Sequence, residues 1–302
     1  MIRSVAVGAL ALGVGLSVGA CGDDDDTSSL QASGGAAGAA GGGAGGTAGG
    51  AGSGGAAGGG ASGGAAGDAR WGCLDEPAPR PSNELVDVRF TVVTNAATAP
   101  ALDATVRACG RLDDGCSTPV APAAQVDAAG TIVLRVPGNF SGYFEVRSAA
   151  AGPAPSFVPL DVFLPNRRIV GGAADHRLIV FSESELGALA GFAGGSFSPA
   201  DPPNAVLVAT ALDCQGSSAA GVSFELEPAE LRSPRTGSFY TNAQSAPDQG
   251  ATETAAGGTF VMTNLNAGAL GLAGTLNEPR RPLGVSSAHL RAGQVSLVFV
   301  SP

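Results

Sequence analysis

Asp127-Ala128-Ala129-Gly130-Thr131-Ile132-Val133, running on into Leu134-Arg135-Val136, is the stretch on which the reading of the fold turns. A small-residue turn ending in Gly hands over to a run in which Ile132, Leu134 and Val136 alternate with Thr131, Val133 and Arg135. A period of two places one side of a strand in a core and the other in water. The stretch has a counterpart in Thr254-Ala255-Ala256-Gly257-Gly258-Thr259-Phe260. A second pair precedes it in the same order: Ala101-Leu102-Asp103-Ala104-Thr105-Val106-Arg107, and Ser218-Ala219-Ala220-Gly221-Val222-Ser223-Phe224. The β-rich region is therefore expected to come in two corresponding halves.

Working outward, further alternations fill both halves. Val88, Phe90 and Val92 alternate with Arg89 and Thr91, and Ala104, Val106 and Ala108 with Thr105 and Arg107. Phe144 and Val146 alternate with Tyr143, Glu145 and Arg147, which puts the latter three on the solvent side. Val158 to Leu164 and Arg177 to Phe181 complete the first half. In the second, Val206 and Val208 come first, then Val222, Phe224 and Leu226 against Ser223, Glu225 and Glu227. Phe260 with Met262, Leu270 with Leu272, and Val295, Leu297 and Phe299 follow. Gly, Pro, Asn and Asp punctuate the runs. Between the halves, Ser182 and Glu185 form a capping box for a helix from Glu183 to about Phe192, with Leu186 and Leu189 on one side and Gly194-Gly195 as its stop.

The repeated turn-and-strand units, with Leu265-Asn266-Ala267-Gly268 and the following Ala269-Leu270-Gly271-Leu272, resemble the carboxypeptidase regulatory-like, or prealbumin-like, β-sandwich. The resemblance covers each half in part. It implies a seven-stranded Greek-key sandwich used as a stalk, adhesion or binding module, a hairpin at Leu265–Gly268, and no catalysis. The expected fold class is all-β: two tandem Greek-key β-sandwiches, 71–182 and 200–302, joined by a helix and loop over 183–199. Whether the halves pack together is open at this point.

The N-terminus specifies location. Arg3 precedes an apolar run from Val5 to Val18, and Leu16-Ser17-Val18-Gly19-Ala20-Cys21 resembles a bacterial lipobox. The run is shorter than the roughly 20 residues of a membrane span. Residues 1–20 are read as a lipoprotein signal peptide and Cys21 as the lipidated residue, so the membrane is a partner through lipid alone. Gly22 follows, then Asp23-Asp24-Asp25-Asp26. With Gly rather than Asp beside the lipid cysteine, the outer membrane or cell surface of a Gram-negative bacterium is the expected site. From Gln31 to about Ala69 the chain is almost only Gly, Ala, Ser and Thr, and 21–70 is read as a disordered linker, residues 22–70 spanning roughly 35–42 Å r.m.s.. Gly60-Ala61-Ser62-Gly63-Gly64 matches a nucleophile elbow only formally, lacking the strand and helix the mechanism requires.

Composition excludes several chemistries. Formal net charge is -10 without a basic cluster, which argues against nucleic acid as a partner. Every basic residue among the 16 is Arg. Without Lys there is no Schiff base, no P-loop lysine and no Lys–Asn crosslink. Setting Cys21 aside leaves Cys73, Cys109, Cys116 and Cys214, an even set that in an exported chain reads as two disulfides with three connectivities. Cys109 and Cys116 bracket a short polar loop and form the favoured local pair, leaving Cys73 for Cys214. Their spacing does not suit zinc, and no metal or cofactor is expected.

His176 and His289 are the two histidines. Asp175-His176 could form an acid–base pair, and His289 falls on the solvent side of an alternating run; neither has a metal-site motif around it. Trp71 beside Cys73 is read as packing next to a disulfide in preference to a ligand platform. No catalytic residue is nominated. The expected function is a non-enzymatic, membrane-anchored envelope or surface lipoprotein with an unidentified protein partner. A carbohydrate-binding module is the alternative, opposed by an aromatic content of 5%. A hydrolase using His176 or His289 is the third.

Overall fold

Among the described residues the first half supplies seven strands: Leu85–Thr94 (β1), Ala104–Gly110 (β2), Ala121–Gln125 (β3), Thr131–Pro137 (β4), Gly142–Ser148 (β5), Leu160–Phe163 (β6) and Asp175–Val180 (β7). Helix Glu183–Phe192 (α1) follows. The second half adds Ala205–Ala211 (β8), Val222–Glu227 (β9), Arg232–Thr241 (β10), Pro247–Asp248 (β11), Thr259–Leu265 (β12), Gly268–Asn277 (β13), Arg280–Leu290 (β14) and Val295–Val300 (β15). The computed structural model describes residues 69–76, 80, 82–149, 155–165, 169, 175–201 and 203–302. The signal, Cys21, the aspartate run and the Gly/Ala-rich segment lie outside the described residues.

The described residues are mostly β, with α1 as a short α-helix, and each half contributes a pair of facing sheets. In the first, β4-β1-β7 faces β6-β5-β2-β3; in the second, β14-β13-β9 faces β11-β10-β12-β8-β15. The question left open by the sequence is answered by the topology. β15 pairs in parallel with β6, Leu297 opposite Val162, and fuses two of these sheets into one of nine strands. All described residues belong to one unit.

The nine-stranded sheet is the middle layer. Along β8, Val206 and Val208 enter a core shared with Phe90, Phe144 and α1 residues Leu186 and Leu189. Leu207, Ala209 and Ala211 enter a second core with Met262, Leu272 and Leu290. Strands covered on both faces need near-continuous apolar sequence. Ala205-Val206-Leu207-Val208-Ala209 and Val295-Ser296-Leu297-Val298-Phe299 have it, and both strands are buried end to end.

The repeated turns have a physical cause. Gly130 (φ +76°) and Gly258 (φ +64°) sit in the left-handed region, where a Cβ would meet the Val92 carbonyl at 2.8 Å and the Ala211 carbonyl at 3.0 Å. Each glycine carbonyl accepts the equivalent amide: Val92 N–H at 2.8 Å, Ala211 N–H at 2.9 Å. Helix α1 carries its predicted capping box, Ser182 Oγ accepting from Glu185 N–H at 3.3 Å and Glu185 Oε2 accepting from Ser182 N–H at 2.6 Å. Asn95 Nδ2 donates to Glu185 Oε1 at 3.1 Å and ties the helix to the end of β1.

Leu265–Gly268 does not make a hairpin. β12 and β13 lie in different sheets, and the segment is the corner between them; the hairpin is β13–β14, turning at Glu278-Pro279. The alternation is the same for a hairpin and a corner, so sequence period alone does not separate them.

Candidate functional site: a charged seam between the halves

Arg107, Glu145, Asp161 and Ser296 stand opposite one another on β2, β5, β6 and β15, forming a polar row across the shared sheet. The expected solvent side of β5 is therefore not in water. Tyr143 is 0% and Glu145 1% exposed, because β14 and the segment after it cover this face. His289 is not on a solvent side either. Its ring packs edge-on against Tyr143 at 4.6 Å and Phe163 at 5.1 Å.

Three guanidinium groups converge on Glu145. Arg107 Nε donates to Oε2 at 2.5 Å, and Arg147 Nη2 and Arg291 Nη1 donate to Oε1 at 2.7 and 3.1 Å. Burial would raise the Glu145 carboxyl, but Arg147 and Arg107 outweigh it and hold it below its ordinary value. Arg291 continues the chain. Its Nη1 lies 3.3 Å from Asp161 Oδ2, its Nη2 donates to the Tyr143 hydroxyl, and the guanidinium sits 4.9 Å over the Tyr143 ring. Burial pulls the Arg291 guanidinium down; Asp161, Tyr143 and Glu145 more than reverse that, so it stays charged. For Tyr143, burial dominates and pushes the phenol up.

Asp161 is the costly member. It is fully buried, and neither carboxylate oxygen has a hydrogen bond, so charge attraction to Arg291 is its main compensation. His289 Nε2 lies 3.7 Å from the same carboxylate, while Nδ1 faces Asp114 at 3.9 Å. A cavity of about 850 Å³ opens beside these groups, lined by Arg111, Asp114, His289 and Arg291 together with residues 267–271. Acids and bases are paired across the row, and its chemistry is that of a brace: acids from the first half hold a base from the second.

Disulfides stand where the sequence placed them, Cys73–Cys214 and Cys109–Cys116. By loop-closure entropy, separations of 141 and 7 residues correspond to about 5 and about 2 kcal/mol. The short crosslink shapes the loop whose Asp113 carbonyl accepts from Tyr143 Oη at 2.7 Å. Backbone N–H groups of Thr118 and Ser117 hold the Asp113 carboxyl below its ordinary value. Cys109 and Cys116 adjoin Glu145, but as a disulfide they offer no thiolate to a metal. Trp71 packs partly against the second core beside its disulfide. His176 is 3% exposed within the first core, its ring 5.6 Å from Phe90. The Ser296 hydroxyl donates to the His289 carbonyl at 2.9 Å, not to its ring. Cys21 lies outside the described residues.

Sequence reasoning missed the seam because Arg107, Glu145 and Arg147 occupy polar slots of an alternating pattern. Two signals were available. Asp161 interrupts the apolar run from Val158 to Leu164, where an isolated carboxylate needs a partner. Tyr143-Phe144 puts aromatic rings on both faces of one strand.

No family model and no curated protein matches the sequence. Among solved structures, the shaft pilin SpaA from Lactobacillus rhamnosus GG is similar over 72% of this chain and 99% of its own, at 8% identity and a TM-score of 0.24. A streptococcal ancillary pilin is similar over 71% of this chain and 68% of its own, at 12% identity and 0.21. The full-length major pilin RrgB from Streptococcus pneumoniae covers 74% and 50%, at 11% identity and 0.19. Scores at this level do not superpose whole folds, and nothing about activity follows from them.

Proposed function

We propose that this chain is a non-enzymatic envelope or cell-surface lipoprotein, anchored through Cys21, whose folded body is a rigid structural and protein-interaction block. The observation that carries the reading is the nine-stranded sheet shared by both halves and braced by the Glu145–Arg291–Asp161 cluster. A block in which ionisable groups neutralise one another across a joint is built to transmit position, not to turn over substrate. Two disulfides fit an oxidising compartment, which agrees with export. The lipobox-like Leu16–Cys21 segment and the low-complexity stretch after it support display at a distance from a membrane, with the outer membrane as the proposed location.

The test is intact mass and membrane fractionation of the native protein beside a Cys21→Ser variant. A diacyl or triacyl mass on Cys21, with membrane association lost in the variant, is the expected result. Unmodified mature protein in the medium would overturn the anchor.

A further inference from the structure

A second cavity, of about 350 Å³, lies away from the seam and unites an aromatic ring, an apolar floor and balanced charge. Its wall is Trp71, the only tryptophan of the chain. Leu276 and Pro279 contribute apolar surface, and Glu253, Glu278 and Arg281 contribute charge. The volume is at the lower end of the roughly 300–1,000 Å³ typical of small-molecule sites.

Each wall is held in place before any ligand arrives. Trp71 belongs to the 3-10 helix Ala69–Asp75, which is bolted to the second half by Cys73–Cys214. Two hydrogen bonds reinforce the bolt: Cys214 N–H to the Arg70 carbonyl at 2.9 Å, and Cys73 N–H to Cys214 Sγ at 3.0 Å. Glu253 is oriented by Asn277, whose Nδ2 donates to its Oε2 at 2.6 Å. Asn277 Oδ1 in turn accepts from Ser223 Oγ at 3.1 Å. Glu278 and Pro279 form the tip of the β13–β14 hairpin.

We propose that this cavity binds a neutral saccharide ring. With Arg70 included, the lining carries two guanidinium groups and two carboxylates, so neither an anionic nor a cationic ligand gains net Coulomb energy. A polyhydroxylated ring uses both signs, because each hydroxyl donates to carboxylate and accepts from guanidinium. Its C–H face matches Trp71, Leu276 and Pro279, the pairing of apolar body with polar rim that indole supplies. This assignment is independent of the lipid anchor.

Trp71 itself reports on the test, as the sole source of tryptophan emission. The folded chain is titrated with cellohexaose, maltohexaose, laminarihexaose and chitohexaose, with heparin and polygalacturonate as charged comparators. At least one neutral hexaose is expected to change the emission saturably, with a Kd of about 1 mM or tighter. Because Trp71 also packs against the core, the variants are Glu278→Gln and Trp71→Phe, followed by calorimetry. Each is expected to weaken that hexaose about tenfold with an unchanged circular dichroism spectrum. A silent emission with all four neutral sugars overturns the proposal. So does binding of charged polymers alone, or an unweakened Glu278→Gln variant.

Discussion

The triplet β4-β1-β7 and the triplet β12-β8-β15 are the same construction used in two settings. Thr91 pairs with Thr131 as Thr210 pairs with Thr259, and each central strand has a parallel neighbour on its other side. In the first half the triplet is an outer sheet. β1 buries Val88, Phe90 and Val92 and leaves Asp87 and Arg89 exposed. In the second half it lies inside the nine-stranded layer. Val208 stands where Arg89 stands in β1, and β8 is buried throughout. One backbone plan thus accepts water on a face or a second core, and the residues at the outward positions decide which. The opposite exchange occurs in the partner sheets. The outward row Arg107–Glu145–Asp161 of the first half is covered, whereas Glu225 and Glu227 of β9, outward in the second, are exposed.

The most drastic way to break this comparison is to unbalance the covered row. Arg291→Leu strands Asp161 and is expected to cost about 3–5 kcal/mol in urea unfolding. Adding Asp161→Leu should restore most of that loss, since a well-packed apolar pair replaces a buried ion pair at little cost. Restoration by Asp161→Leu is the informative arm; without it, Arg291 matters for shape and not for charge.

Acid should reveal the same row by titration. The Glu145 carboxyl is depressed in the folded state below its ordinary value of 4.5, so the unfolded chain binds the proton first. Its stabilisation is present above 4.5 and is lost as pH falls through the folded value. The urea midpoint of the native protein should drop through that window more steeply than that of Glu145→Gln; parallel curves would remove Glu145 from the brace.

The smallest effect lies at the equivalent threonines. Thr210 is fully buried with no partner for Oγ1, so Thr210→Val is expected to stabilise by about 1 kcal/mol. Thr91 donates to the exposed Asp175 at 3.2 Å, and Thr91→Val should stay within about 0.5 kcal/mol. Equal shifts in Tm would mean that the two positions do not differ in environment.

Local chemistry was legible from the chain. Most strands, the capping box of α1 and the repeated glycine turns follow from alternation, side-chain capping and glycine position, and the disulfides from cysteine parity once Cys109 and Cys116 are paired across their short loop; β3, β10, β11 and most of β14 carried no alternation that named them. The hairpin assigned to Leu265–Gly268 and the solvent positions of Glu145 and His289 were not legible, for a shared reason. Alternation records that a strand has two faces and not what covers the second.

By itself the sequence determined most of the strands, their correspondence between the halves, an even set of cysteines with Cys109–Cys116 as the favoured pair, and the lipobox-like start, because each depends on residues close together or on simple counting. Only the tertiary structure decided that β6 and β15 join two sheets, that an arginine after β14 answers two acids on β5 and β6, and that Trp71 meets Glu253 and Glu278 across a cavity. Those juxtapositions span 130 residues or more of chain in the two charged cases, Asp161 to Arg291 and Glu145 to Arg291, and separations of that size leave no periodic trace in the sequence.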